Sequence, residues 1–172
     1  QPEIAVADLT GLALELAAWG SPGGAGLALL DAPPEAALAR AHAVLEGLGA
    51  VQPGGTITER GRAMAGLPLD PRLARALLDG AGLVGGRRAA EVVALLAEGT
   101  RGPAGDLVAA LRQVRRDGPG SGEWRRAVRR LEQSLPAGVG TGAGEGLPDD
   151  VAVGAVVALA HPERVARRRR RP

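Results

Sequence analysis

The sequence predicts a mainly α-helical protein that is organised as two consecutive modules. The chain has 172 residues, enough for one sizeable core or two small ones. It contains no Phe or Tyr and two Trp, so the core must be built from Leu, Val and Ala, which favour helices over a sheet. Apolar residues recur at helical spacing in several segments that Gly and Pro separate. These observations predict helices along most of the chain.

The first helix is predicted from the apolar residues between Leu9 and Leu16, and Gly20 ends it. A short helical turn is expected at 27–30. Pro33-Pro34 then opens a second long helix, which Gly49 closes. The apolar stripe of this second helix consists of Leu38, Ala41, Leu45 and Leu48.

A small β-hairpin is expected next, because Val51-Gln52 and Thr56-Ile57 flank the turn residues 53–55. Helix, short helix, helix and hairpin is the order of a winged helix. The sequence therefore predicts a winged-helix domain over residues 1–66.

Residues 67–172 are predicted to form a bundle of about five helices. The first begins after the capping residue Asp70 and stops near Gly80–Gly82, and a buried second helix covers 89–97. Asp106 and Ser121 are expected to cap the third and fourth helices. The last helix runs from Asp149 to Leu159 and follows a Gly-rich loop at 136–148, which we expect to be mobile.

The net charge of +2 hides an uneven distribution. The basic C-terminal tail, residues 161–172, holds six Arg and one Glu, which leaves 15 Arg against 18 acidic residues in the remainder. The body is therefore not a globally basic nucleic-acid binder. Its positive charge is local, since residues 112–130 contain seven Arg and only two acids.

Several kinds of catalytic or metal site are disfavoured. The chain has no Cys and only two His, distant in sequence, so a transition-metal site or a nucleophilic triad is not expected. The Gly-rich loop fails the G-x-G-x-x-G spacing because Glu145 occupies the third glycine position. No Walker A motif, DEAH box or lysine is present, so the chain itself should carry no cofactor.

The second predicted helix lies where a winged-helix protein places its recognition helix. Reading a DNA groove needs several basic or amide side chains, and this helix offers only Arg40 and His42 beside two acids. A structural role is therefore favoured for it. His161, which precedes Pro162, is expected at a helix end.

The arginines between 112 and 130 are the candidate nucleic-acid-binding residues. Three pairs stand at i, i+4, where like charges repel by about 0.2–0.5 kcal/mol per pair. Bound phosphates would offset this repulsion, because guanidinium groups bind phosphate in a bidentate manner. The alternative is a solvated basic face, and the Arg run 167–171 is a second candidate. The predicted binding set is Arg112, Arg115, Arg116, Arg125, Arg126, Arg129 and Arg130.

Residues 58–73 form the Thr58 motif, in which Thr58 is expected to cap a short helix whose apolar side includes Ala63 and Met64. Gly66 and Pro68 stop this helix, and Asp70 caps the next one. The positions that characterise the motif are Thr58, Gly61, Met64, Leu67, Pro68, Leu69 and Pro71. They resemble the join between the winged-helix domain and the helicase-associated helical bundle of DEAH-box RNA helicases. Upstream, residues 8–20 and an "LDxPP" turn at 29–34 are similar to the HrpB-type branch of that family, as is the downstream segment 161–168.

The resemblance implies an accessory segment of an ATP-dependent helicase, which is an NTP hydrolase. It also implies two RecA-like motor domains in the same polypeptide as packing partners, ATP and Mg²⁺ in the full-length protein, and single-stranded nucleic acid, with RNA expected, as the strand held. The chain begins at Gln1 without an initiator Met, so we expect a fragment. The absence of a long apolar run or a signal peptide predicts a cytoplasmic protein with no membrane partner.

Two other functions stay open at the level of sequence. A winged-helix transcription regulator with a helical dimerisation domain would need a more basic recognition helix. A protein-interaction bundle would need no nucleic-acid contact at all. The sequence does not decide between RNA and DNA, nor does it give the pathway or the oligomeric state.

Overall fold

A computed structural model of the chain describes residues 8–24, 33–99, 105–140, 144 and 146–165. This part of the chain is mainly helical and contains no β-strand, which confirms the predicted mainly α class. No helix in it is long and apolar enough to cross a bilayer. The helices are α1 (Thr10–Ala18), α2 (Glu35–Gly47), α3 (Glu59–Ala65), α4 (Pro71–Val84), α5 (Gly86–Ala97), α6 (Leu107–Arg115), α7 (Ser121–Ser134) and α8 (Asp149–Ala160), with a 3₁₀ turn at Pro162–Arg164.

The chain divides into two compact units between Ala74 and Arg75, within α4. The predicted division at 66/67, and the names given to the two domains, stay predictions. Each unit has its own core and is described by itself.

In the first unit, α1 packs against α2 and α3. The large side chains at the centre are completely or almost completely buried, as the apolar stripe of α2 predicts. Leu38 lies at the edge of this stripe and is half-buried. The buried residues of this centre are Leu16, Leu45, Leu48 and Met64.

The structure does not support the predicted β-hairpin, because its described residues form no β-strand. Among the described residues, this segment holds one isolated antiparallel bridge, between Val51 and Ile57. Gln52 N–H donates to Thr56 C=O at 2.8 Å and Thr58 N–H donates to Ala50 C=O at 2.9 Å, one on each side of the bridge. The pairing stops at Thr58, because this residue is the N-cap of α3. Pro53 has no N–H to donate, and Gly54 and Gly55 adopt positive φ. Residues 53–55 therefore form the turn and add no further backbone pair between the two arms.

The Thr58 motif folds as predicted at its two helix starts. The Thr58 hydroxyl accepts from Gly61 N–H at 3.0 Å and lies 2.8 Å from Gly49 C=O, to which it donates. Gly61 packs so closely on Ala50 that a Cβ would overlap the Ala50 carbonyl oxygen. Asp70 accepts from the N–H groups of the first turn of α4. The predicted apolar side of α3 is corrected at Ala63, which is exposed.

In the second unit, α5 lies at the centre and packs against α6, α7 and α8. It is buried over most of its circumference, as its apolar residues predict. With α4, the described residues of this unit give the expected bundle of five helices.

Three helix boundaries differ from the predictions, and one of them is the start of α5, which lies at Gly86 instead of residue 89. Helix α4 continues past Gly80 to Val84. Gly80 lets other helices approach, since a Cβ there would meet Val156 Cγ2 at 3.3 Å and Ala89 Cβ at 3.4 Å. Ser121 is not the cap of α7 but its first residue, because Gly120 adopts a left-handed φ of 80° and occupies the N-cap position.

Several sequence features lie outside the described residues. These are the short turn predicted at 27–30, most of the "LDxPP" turn, the segment before Asp8, and the Arg run 167–171.

Candidate nucleic-acid interface

All seven candidate arginines lie on α6, on α7 or at the C-cap of α6, within the second unit. Helix α6 starts at Asp106, whose carboxylate accepts from the N–H groups of Val108 at 2.8 Å and Ala109 at 3.1 Å. Its apolar residues Ala110, Leu111 and Val114 face the core. The arginines therefore occupy the remaining, outer faces of the two helices.

Arg115 is held inside an ion-pair network. Its Nε and one Nη donate to Glu91 Oε2 at 3.1 and 2.5 Å, and its other Nη donates to Asp149 Oδ1 at 2.9 Å. Its side chain is 30% exposed. These contacts join α6 to α5 and α8, so the charge of Arg115 is matched by two carboxylates.

Glu91 is the residue of this region that sequence reasoning missed. It is 6% exposed and stands in the middle of the apolar run of α5. Arg87 approaches its second oxygen at 3.5 Å and also reaches Glu132 of α7 at 3.5 Å. A single acid within a buried helix was the available signal, because such a charge requires a partner.

Trp124 on α7 contacts the same region. Its Nε1–H donates to the Glu91 carbonyl at 3.0 Å, and the ring is buried. Of the two tryptophans, only Trp19 is accessible, with 71% of the residue exposed, and it belongs to the first unit.

Arg125 is paired as well. One of its Nη atoms contacts the Asp117 carboxylate in the turn between α6 and α7. Asp117 has a positive φ of 62°, which Asp tolerates better than most residues. Arg115 and Arg125 are thus bound to carboxylates of the protein itself.

The other five arginines of the set are exposed and form no ion pair with any described residue. They fall into two groups. Arg112 and Arg116 line a cavity of about 420 Å³ with Ala109, Gln113 and Gly118. Arg126 and Arg130 line a cavity of about 520 Å³ with Glu98, Gly120 and Glu123. Arg129 is exposed on α7 and lines neither.

The repulsion within each i, i+4 pair has compensation in the protein itself. Arg112 and Arg116 lie at the C-terminal end of α6, where a cation gains about 0.3–1 kcal/mol from the helix dipole. Arg125 is neutralised by Asp117, and carboxylates flank Arg126 and Arg130. Repulsion alone therefore does not require a bound anion. The feature that can attract an anion is the charge that lines each cavity.

The ion-pair network also shifts the pKa values of Asp149 and Arg115. Hydrogen bonding from Arg115 is the largest effect on Asp149 and holds the pKa of its carboxyl below the ordinary value. For Arg115, burial is the largest single effect and lowers the pKa, but the hydrogen bonds and charges of Glu91 and Asp149 together raise it above the ordinary value. Both groups are therefore charged at neutral pH.

In the Gly-rich loop, whose mobility stays a prediction, Gly140 and Gly144 lie close to the α4–α5 junction. A Cβ at Gly140 would lie 2.6 Å from the Ala81 carbonyl oxygen, and one at Gly144 would lie 2.5 Å from Val84 Cα. Arg88 donates to the carbonyls of Gly144 at 3.2 Å and Leu147 at 2.8 Å. The described part of this loop is thus held by close backbone contact and by one arginine.

Other candidate sites gain no support from the geometry. The described residues contain no cluster of His, Cys, Asp or Glu that could hold a metal ion. On α2, Arg40 is exposed, and His42 is half-buried and lies near Gly55. His161 Nδ1 lies 3.7 Å from Glu163, at the end of α8 as predicted.

Comparison with known proteins identifies the segment. The ATP-dependent RNA helicase HrpB of Escherichia coli (strain K12) is 34% identical over 169 residues, which are 98% of this chain and 19% of that protein. The crystal structure of the E. coli DExH-box NTPase HrpB matches 98% of this chain, with a TM-score of 0.77 and 33% identity. This chain is similar to a segment of HrpB. The resemblance in the sequence is thereby confirmed.

A crystal structure of the Escherichia coli DEAH/RHA helicase HrpB gives the same result, with a TM-score of 0.73 and 32% identity over 98% of the chain. No family model matches the chain. The chain spans 19–20% of the length of these relatives.

Proposed function

We propose that this chain acts as an accessory segment of an ATP-dependent RNA helicase. The observation that carries the proposal is the similarity to HrpB over nearly the whole chain, in sequence and in fold. In the full-length protein, RecA-like motor domains of the same polypeptide would bind ATP and Mg²⁺, and this segment would pack on them. A cytoplasmic location belongs to the same proposal, because RNA and ATP are its proposed substrates.

The mechanical role we propose is to hold single-stranded nucleic acid, with RNA as the expected strand, while the motor domains open and close. Five exposed arginines without protein ion-pair partners in the described chain support this role. Arginine contacts to the phosphate backbone provide grip without sequence preference. Arg115 and Arg125, also in the predicted set, would act mainly by fixing the helices that carry the other five.

The winged-helix regulator is less well supported, because α2 exposes a single arginine, Arg40, among the described residues. A pure protein-interaction bundle would leave the five arginines without a ligand. The names winged-helix domain for 1–66 and helicase-associated bundle for 67–172 remain part of the proposal.

The test is binding of a short, fluorescently labelled oligouridylate to the purified chain, measured by anisotropy over a range of salt. Two or three phosphate contacts at about −0.7 each predict a slope of log affinity against log salt near −2. The comparison is between R125Q/R126Q/R129Q/R130Q and deletion of the tail after Val165.

A loss of binding in the quadruple variant, with the tail deletion nearly neutral, supports the interface. If the tail deletion abolishes binding and the quadruple variant matches the wild type, the α7 face is only solvated. No measurable binding by the folded wild-type chain at low salt would contradict nucleic-acid holding by this segment alone.

A further inference from the structure

The five free arginines are not equivalent, because the two cavities that four of them line differ in charge. The α6 cavity has the side chains of Arg112, Gln113 and Arg116 as its polar lining. The α7 cavity has Arg126 and Arg130, but also Glu98 and Glu123. A phosphate entering the α7 cavity would meet two carboxylates, whereas one entering the α6 cavity would meet two guanidinium groups and a neutral amide.

We infer that the α6 cavity, formed by Arg112, Gln113 and Arg116, is the phosphodiester subsite of this segment. This inference rests on the proposed function and names which part of the predicted arginine set takes the strand. The ligand class is the backbone phosphate of a single-stranded nucleic acid.

Two carboxylates outside this cavity, those of Asp149 and Asp117, are already engaged by other arginines. Asp149 feels the charge of Arg112, but more weakly than the hydrogen bond from Arg115, which occupies its Oδ1. Asp117 is paired with Arg125. Within the described part of the chain, the guanidinium groups of Arg112 and Arg116 therefore have no hydrogen-bond acceptor, and each can present a fork of N–H groups to a phosphate.

The cavity is also held in shape by its backbone. Gly118 N–H donates to Gln113 C=O at 3.1 Å, and a Cβ on Gly118 would lie 2.7 Å from Gln113 Cγ. Arg116 N–H donates to the carbonyls of Arg112 and Gln113. The carbonyls of Arg112 and Gln113 thus accept hydrogen bonds within the protein. The two full positive charges of Arg112 and Arg116 exceed the partial negative charge of about −0.5 at the helix end.

The ion-pair network fixes α6 next to the subsite. Arg115, between Arg112 and Arg116 in sequence, is bound to Glu91 and Asp149. This anchoring keeps α6 from rotating about its axis when a strand pulls on the outer arginines. Arg115 is therefore a positioning residue for the subsite.

The experiment compares two matched double variants of the full chain, R112Q/R116Q and R126Q/R130Q. Each removes two positive charges from an i, i+4 pair, so the change in net charge is the same. The probe is the labelled oligouridylate at low salt, and circular dichroism with thermal unfolding verifies that both variants are folded.

We expect R112Q/R116Q to weaken binding by about tenfold or more, since two charged hydrogen-bonding groups are lost. The salt slope should become shallower by about 1.4, which is two contacts at about 0.7 each. R126Q/R130Q should weaken binding less than about threefold, the effect of general charge alone. R112K/R116K should keep the salt slope while binding more weakly than the wild type, because lysine retains the charge and loses the fork.

A larger loss in R126Q/R130Q than in R112Q/R116Q would overturn the subsite and leave the proposed nucleic-acid function standing. Equal losses in the two variants would also overturn it, because they would show general electrostatics. If the wild-type chain binds and neither double variant changes the affinity, the subsite and the helix-face interface both fall. Absence of binding by the wild-type chain would overturn the proposed holding function together with the subsite.

Discussion

The guanidinium of Arg115 donates two hydrogen bonds to the buried carboxylate of Glu91 and a third to Asp149, and these contacts join α5, α6 and α8. Arg87 extends the chain of ion pairs from Glu91 to Glu132 on α7. One buried acid therefore connects, through two arginines, four of the five helices of the second unit. Arg115, a member of the candidate binding set, therefore contributes mainly to the stability of the fold.

The first prediction concerns Glu91. Replacing Glu91 with Gln keeps the volume but leaves Arg115 with a weaker partner in a half-buried position. We expect the free energy of unfolding to fall by about 1–3 kcal/mol, the range for hydrogen bonds to charged groups. Urea denaturation measures the change.

Glu132→Gln is the matched control for Glu91→Gln. Its partner Arg87 has a side chain that is 69% exposed, so the pair should contribute no more than about 1 kcal/mol. Equal effects of the two substitutions would contradict a central role for Glu91.

The second prediction concerns pH. Asp149 has a folded-state pKa below its unfolded value, so its ion pair stabilises the protein above a pH of about 4. That contribution is lost as pH falls through the folded pKa, while Arg115 stays charged. Asp149→Asn should therefore lower stability at neutral pH and show a flatter loss of stability on acidification.

Asp150→Asn serves as the control for Asp149→Asn, because Asp150 lies in the same first turn of α8 and is exposed. Thermal unfolding between neutral and acidic pH provides the curves. Parallel curves for wild type and Asp149→Asn would show that the Arg115–Asp149 pair contributes nothing.

The third prediction concerns the Thr58 motif. Gly61→Ala places a Cβ that overlaps the Ala50 carbonyl oxygen. This oxygen belongs to the backbone, so it cannot move away as a flexible side chain could. We expect a loss of at least about 4 kcal/mol or failure of the first unit to fold. Gly66→Ala, in the same motif, has its nearest atoms at 3.6 and 3.7 Å and should be tolerated. Comparable stability of both variants would mean that α3 does not pack on Ala50 as described.

The fourth prediction concerns the two cores. Leu45 and Leu77 have no exposed surface, so truncation to Ala should lower stability by roughly 2–5 kcal/mol in each case. Leu83→Ala is the control, because Leu83 is 56% exposed and its truncation should change little. If Leu45→Ala or Leu77→Ala were nearly neutral in chemical denaturation, the corresponding helix face would not be buried as described.

The fifth prediction is that this chain alone does not hydrolyse ATP. It has no lysine and no Walker A motif to hold a triphosphate with Mg²⁺. A phosphate-release assay should show no turnover above the buffer. Turnover that persists through purification and disappears on substitution of a residue of this chain would contradict the proposed accessory role.

The sequence by itself determined the helical class and most helix starts. Thr58, Asp70 and Asp106 act as caps, as their positions before apolar runs predict, because capping depends on the backbone N–H groups of the next three residues. The burial of Leu45, Leu77 and Val92 also follows from local periodicity. The motif around Thr58 carried the resemblance to HrpB, which the comparisons confirm.

Only the tertiary structure decided which charges are free. Glu91 and Arg115 are 24 positions apart, and Asp149 follows 34 positions later, so no local pattern brings them together. Local sequence also does not reveal that α4 continues through Gly80. A glycine fits inside this helix because Val156 and Ala89 approach closely at that position. The capping and periodic signals act within a few residues, whereas the pairing of a buried charge and the fit of a glycine depend on helices that meet only when the chain has folded.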